Sequence, residues 1–154
     1  MTKIFSHETG NTLGFHEEFL KKLTKRGAKQ VDQSDKAKAI IVFCPLVSRY
    51  ETDVLSALAS IPESKCETVI LVVMHHTSNK DQTLPPHRDL GSRALALHVD
   101  CLFHEQLGLL KCPINKSAIK MVRQKLKLRS LSLPGKKKKN KSIQQKDRQL
   151  NQSN

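Results

Sequence analysis

Ala37-Lys38-Ala39-Ile40-Ile41-Val42-Phe43-Cys44-Pro45-Leu46 decides the fold class. The run is almost continuously apolar and rich in β-branched residues, without the polar alternation of a half-solvated strand. A strand that is apolar on both faces is buried on both, and such strands belong to parallel sheets covered by helices. Thr68-Val69-Ile70-Leu71-Val72-Val73-Met74-His75 repeats the signal and is the most apolar piece of the chain. Two central strands of this kind predict an α/β domain.

Around them the pattern alternates. A strand is expected over Thr2–Ser6 and a helix from Thr12 to Arg26, with Leu13, Phe19, Leu20 and Leu23 on its inner stripe and Gly27 closing it. A weak second strand covers Ala28–Val31. After Leu46, Ser48 or Thr52 is expected to cap a helix running to Ser60, which Pro62 ends. Residues 77–92 carry Asn79, Asp81, Pro85, Pro86, Asp89 and Gly91, a loop composition where a wound α/β fold normally places a helix. A strand follows at Ala94–Val99, residues 100–113 suit neither period, and Asn115 is expected to cap a last helix to Leu128. Right-handed crossovers with one reversal after the second strand give a three-layer α/β domain with a parallel sheet in the order 2-1-3-4-5.

Charge divides the chain. The net charge is +13, and residues 129–154 carry +7 of it, from eight Lys/Arg against the single acid Asp147. Ser, Pro, Gly, Asn and Gln fill the rest of that segment, so residues 1–128 form the domain and 129–154 a disordered basic tail. Lys136, Lys137, Lys138, Lys139 and Lys141 are the kind of cluster read by nuclear import receptors or held weakly by nucleic acid. The tail has no aromatic residue on which a base would stack. There is no run of eighteen apolar residues, so no membrane span is expected. Cys44, Cys66, Cys101 and Cys112, spaced by 22, 35 and 11, match no paired zinc motif and read as free thiols. The expectation is a cytoplasmic or nuclear protein.

Lys3-Ile4-Phe5-Ser6-His7-Glu8-Thr9-Gly10-Asn11-Thr12 runs from a strand into a small polar turn before a helix, the arrangement that gathers N–H groups and hydroxyls around an anion. The run Thr9-Gly10-Asn11-Thr12 resembles the phosphate-binding loop of flavodoxins, except that His7 stands where that pattern places its first hydroxyl residue. The resemblance implies a flavodoxin-like fold and a phosphate-bearing ligand over Thr9, Gly10, Asn11 and Thr12. Arg49, at the end of the third strand, is the expected counter-charge. The same resemblance implies bound flavin mononucleotide between aromatic loops. The chain has no Trp, and its one tyrosine, Tyr50, lies outside both loops, so the expectation is against flavin. Phe43–Arg49, Val73–Thr77 and Val99–Glu105 also resemble a paralogous set of small fish proteins, over roughly residues 3–127, a likeness that implies no chemistry.

These readings predict a binding or regulatory module, for a nucleotide or other phosphate-bearing ligand, rather than an enzyme. Two alternatives stand beside it. One is an enzyme on nucleotides or nucleosides using His7, Asp53 or His75 in the same cleft. The other is an interaction protein directed to nucleus or RNA by its tail. No metal is expected: His75 and His76 alternate across a strand, so at most one of them would join a cluster with Cys101 and His104.

Overall fold

The computed structural model describes residues 2–87 and 94–128. The lysine cluster and the end of the 77–92 loop lie outside the described residues. The elements run β1 (Thr2–Glu8), α1 (Phe15–Thr24), β2 (Ala28–Gln30), a 3₁₀ turn (Ser34–Lys36), β3 (Ala39–Pro45), α2 (Tyr50–Ala59), β4 (Val69–His76), β5 (Leu97–His104), β6 (Gly108–Leu109) and α3 (Pro113–Lys125). They form a mixed α/β fold on one mostly parallel sheet of order β2-β1-β3-β4-β5-β6.

That order differs from the expected one by a sixth strand. β6 pairs antiparallel with the end of β5, Phe103 opposite Leu109 and His104 opposite Gly108. The expected strand over Ala94–Val99 begins at Leu97 and continues to His104, which absorbs residues 100–104 of the stretch that suited neither period. Gly108 sits at φ 72°, and a Cβ there would lie 3.0 Å from Glu18 Oε2 of α1. The positive φ is what favours glycine here, and the Glu18 carboxylate adds only mild crowding.

The sheet's two faces use alternate residues of the same strands, as strand geometry requires. Ile41, Phe43, Ile70, Val72 and Met74 join Phe19, Leu20 and Leu23 of α1 and Ala118, Ile119 and Val122 of α3 in one apolar cluster. Ile40, Val42, Cys44, Leu71 and Val73 join Val54, Ala57 and Leu58 of α2 in another. All seven residues of β3 are buried, as the opening run predicts.

Helix starts depart from expectation. α1 begins at Phe15, not Thr12, because Leu13 and Gly14 both take left-handed backbone, at φ 58° and 81°. Arg49 stands at the N-cap of α2 with no side-chain cap bond, so neither Ser48 nor Thr52 serves. Asp53 substitutes from inside the helix: its carboxylate accepts the Val47 and Ser48 N–H groups at 2.8 and 2.9 Å and the Ser48 hydroxyl at 3.0 Å.

α3 starts on Pro113, whose missing N–H costs nothing at that position. Asn115 is not its cap. Its side chain is buried and bonded to the edge of β5, accepting from Leu102 N–H at 2.7 Å and donating to Leu102 C=O at 2.8 Å, with a further 2.8 Å bond to Leu110 C=O. An amide side chain thus occupies the place a neighbouring strand would take.

All four cysteines are free and buried. No helix among the described residues is long and apolar enough to cross a membrane.

Candidate functional site

The described part of the connection between β4 and β5 contains no helix. Among the described residues no helix of this connection covers the sheet beside α2 over the end of β4 and the front of β5, where the strands carry polar side chains. His75, His98 and Asp100 fall on the face that carries Val73 and Leu71. His87 arrives from the connection and Tyr50 from the first turn of α2.

Asp100 is the hub. Its Oδ1 lies 2.8 Å from His75 Nε2 and its Oδ2 lies 2.5 Å from His87 Nε2. The His87 and His98 rings stack with centroids 3.6 Å apart and planes 2° from parallel. Tyr50 Oη lies 3.1 Å from His98 Nε2. His87, His98 and Asp100 each present a ligand atom within 4.8 Å of the others.

The Asp100 side chain is only 10% exposed and that of His75 only 11%, against 42% for His87. Burial pushes the Asp100 carboxyl up, but the hydrogen bonds from His75 and His87 outweigh it and hold the group below the usual carboxylate range. Burial, with the neighbouring imidazole of His87, lowers His98 to about 4. At neutral pH the site is therefore an ionised carboxylate beside a neutral imidazole.

An open groove of about 370 Å³ adjoins these groups. Leu84, Pro113, Ile114, Ala118 and Met121 give it apolar walls, and His87, His98, Asp100 and Ser117 form its polar part. Met121 is 41% exposed although it stands among the apolar wall residues. A volume in this range, mostly apolar with a few convergent polar groups, is what small-molecule sites look like.

The residues singled out from sequence are placed elsewhere, apart from His75. Thr9 lies at the end of β1, where its N–H and its hydroxyl both donate to Phe43 C=O. Asn11 Oδ1 accepts from Leu13 N–H at 2.9 Å, and the buried Thr12 hydroxyl pairs with His16 Nδ1. Gly10 packs against Pro45, where a Cβ would meet Cγ at 3.1 Å. None of these bonds involves Arg49, whose residue is exposed. Glu8 lies beside the turn, 3.7 Å from His16.

The three catalytic candidates hold three separate partners. His7 meets the Ser60 hydroxyl at 3.0 Å, Asp53 holds its own loop, and His75 holds Asp100. Cys44 is buried and its thiol is pushed up to about 11, chiefly by that burial, the opposite of an activated nucleophile. The alternation argument about His75 and His76 applies to the geometry: His76 turns to the other face, against Phe103, and forms an exposed group with His104 and Glu105. Cys101 is fully buried in the core and does not join it.

His87, His98 and Tyr50 did not stand out in the sequence. The signal was present in His98-Val99-Asp100-Cys101-Leu102-Phe103, where polar residues two apart mark one face of a strand. Ending the strand at Val99 hid it.

Comparison with protein-family models, with curated proteins and with solved structures found no match. Neither the flavodoxin-like resemblance of the Thr9–Thr12 turn nor the likeness to the fish proteins gains support from them.

Proposed function

We propose that the protein is a small-molecule binding module of three-layer, flavodoxin-like architecture, without flavin redox chemistry. Its ligand lies in the groove beside β5. The occupant is a small amphipathic molecule, an apolar body along Ile114 and Met121 with an amine or hydroxyl head at Asp100. The observation that carries this reading is the ionised, nearly buried Asp100 carboxylate opening onto an otherwise apolar groove. A buried charge is costly unless it is partnered, and here His75 and His87 hydrogen-bond one oxygen each while the carboxylate lines the groove.

The test is a thermal-shift screen of short alkyl and aryl amines and alcohols against the matching carboxylates. A ligand at about one hundred times its dissociation constant adds roughly 2.7 kcal/mol of stability. The amines and alcohols are expected to raise Tm in the wild type, and to lose the effect in Met121→Lys and in Asp100→Asn. Equal shifts in all three proteins, or shifts with carboxylates alone, overturn the reading.

A second reading keeps the phosphate-bearing ligand at Thr9, Gly10, Asn11 and Thr12 with Arg49. What favours it is position: β1 and β3 are neighbours and the chain reverses direction across the sheet there, the crevice where open α/β sheets take ligands. A phosphate would have to displace the bonds these residues already make, and Glu8 and Asp53 would oppose it.

A further inference from the structure

We propose that His87, His98 and Asp100 form a binding site for a divalent transition-metal ion of the zinc class, with His75 positioning the carboxylate. The inference rests on reading this cluster as the polar end of the groove site and names what that end holds.

Three observations carry it. The donor atoms of His87, His98 and Asp100 already lie within 4.8 Å of one another, and a turn of the two stacked imidazoles out of parallel aims them at one ion. Their chemistry is selective: two imidazoles and one carboxylate suit zinc, cobalt or iron(II), whereas calcium and magnesium take oxygen donors. Two of the three donors are also held by a further side chain. His75 grips Asp100 Oδ1 and leaves Oδ2, the oxygen nearest His87, for the ion. Tyr50 grips His98 from α2. Groups that orient metal ligands in this way are a regular part of metal sites.

The ion takes the place of the proton shared between His87 and Asp100, and the two imidazoles bind it in their neutral forms. Three protein donors leave at least one coordination position open. That position faces the groove, where a hydroxyl head, or an amine head that has given up its proton, offers a lone pair. The second histidine group, His76, His104 and Glu105, has its donors equally close but is more exposed, with His76 and Glu105 about half accessible. Its His104 accepts from the Gln106 N–H at 3.3 Å, and the group serves as the internal comparison.

The experiment uses the full chain, stripped with a chelator and titrated with cobalt(II), followed by zinc competition. The expected result is one equivalent of tightly bound cobalt with visible ligand-field absorption, displaced by zinc and unaffected by excess magnesium. His98→Ala and Asp100→Asn are expected to abolish that equivalent, and His75→Ala to weaken it about tenfold. The double variant His76→Ala with Glu105→Gln retains it. Far-UV circular dichroism and a urea midpoint show whether each variant is folded, and should the His98 or Asp100 variant fail, retention of the equivalent in the His76/Glu105 double variant assigns it. The proposal is overturned if the wild type binds no stoichiometric cobalt, or if the equivalent persists in His98→Ala and Asp100→Asn. An amine that binds the chelator-treated protein while cobalt does not overturns the metal site and leaves the groove. Cobalt binding with no amphipathic ligand overturns the groove and leaves the metal site.

Discussion

The turn after β1 and the cluster between β4 and β5 use similar polar material to opposite ends. In the turn, Thr9, Asn11 and Thr12 spend their donors and acceptors on Phe43, Leu13 and His16. Across the crevice, Asp53 does the same for the amides of Val47 and Ser48. In the cluster, a carboxylate and three imidazoles concentrate on a patch of sheet that no helix of the described residues covers, and a groove leads to it. Hydrogen-bond satisfaction within a loop makes a fold element. Convergent titratable groups beside an open apolar space make a candidate site.

The contrast breaks most easily at Asn115, which fixes the edge of β5 on which the groove is built. Asn115→Ala removes three buried hydrogen bonds and strands the Leu102 N–H, and should cost about 3 kcal/mol in a urea denaturation experiment. A loss under 1 kcal/mol would mean that water replaces the amide there, and that the groove wall is soft.

Two glycines sharpen the reading of the turn. Gly10→Val drives a side chain into Pro45 and should cost about 2 kcal/mol by crowding. Gly14→Ala meets no atom within 4 Å but sits at φ 81°, so backbone strain alone should cost about 1 kcal/mol. If Gly10→Val is neutral while Gly14→Ala is not, the turn yields at Pro45 and has room for a ligand after all.

Asp53→Ala frees the amides of Val47 and Ser48 in a largely solvated loop and should cost somewhat less, about 0.5 to 1 kcal/mol. Added sulfate at constant ionic strength should restore none of it. Recovery by sulfate would revive this crevice as an anion site.

The smallest effect is in pH. Burial acts to raise the Asp53 carboxyl, its three hydrogen bonds outweigh that, and it titrates below its ordinary 3.8. A depressed folded-state value means the stabilisation is complete above the unfolded value and is lost as pH falls through the folded one. The stability difference between wild type and Asp53→Ala should therefore be flat above about pH 4 and shrink below it. A difference that already shrinks between pH 7 and 5 would contradict the assignment.

The sheet was legible because β3 and β4 announce themselves by continuous burial, from Ala39 to Pro45 and from Val69 to Met74. Helix α1 was legible in its stripe but not at its start, since nothing in Leu13 signals a left-handed residue. The end of β5 was obscured because Asp100 and His104 interrupt the apolar run. Asn115 reads locally as a cap, and its tertiary bonds to β5 decide otherwise. The cluster was hidden for a similar reason: His75, His87 and His98 come from β4, the following connection and β5, and only the parallel register of β4 against β5 assembles them around Asp100.

The most direct test of where this protein takes its ligands is amide chemical-shift mapping of the uniformly labelled chain, with a short alkyl amine and with inorganic phosphate in separate titrations. The account predicts saturable shifts from the amine at Leu84, His87, His98, Asp100, Ile114 and Met121, with phosphate leaving residues 9–12 and 47–49 unmoved. Saturable phosphate shifts at residues 9–12, with β5 and α3 silent to the amine, would place the site at the turn and contradict it.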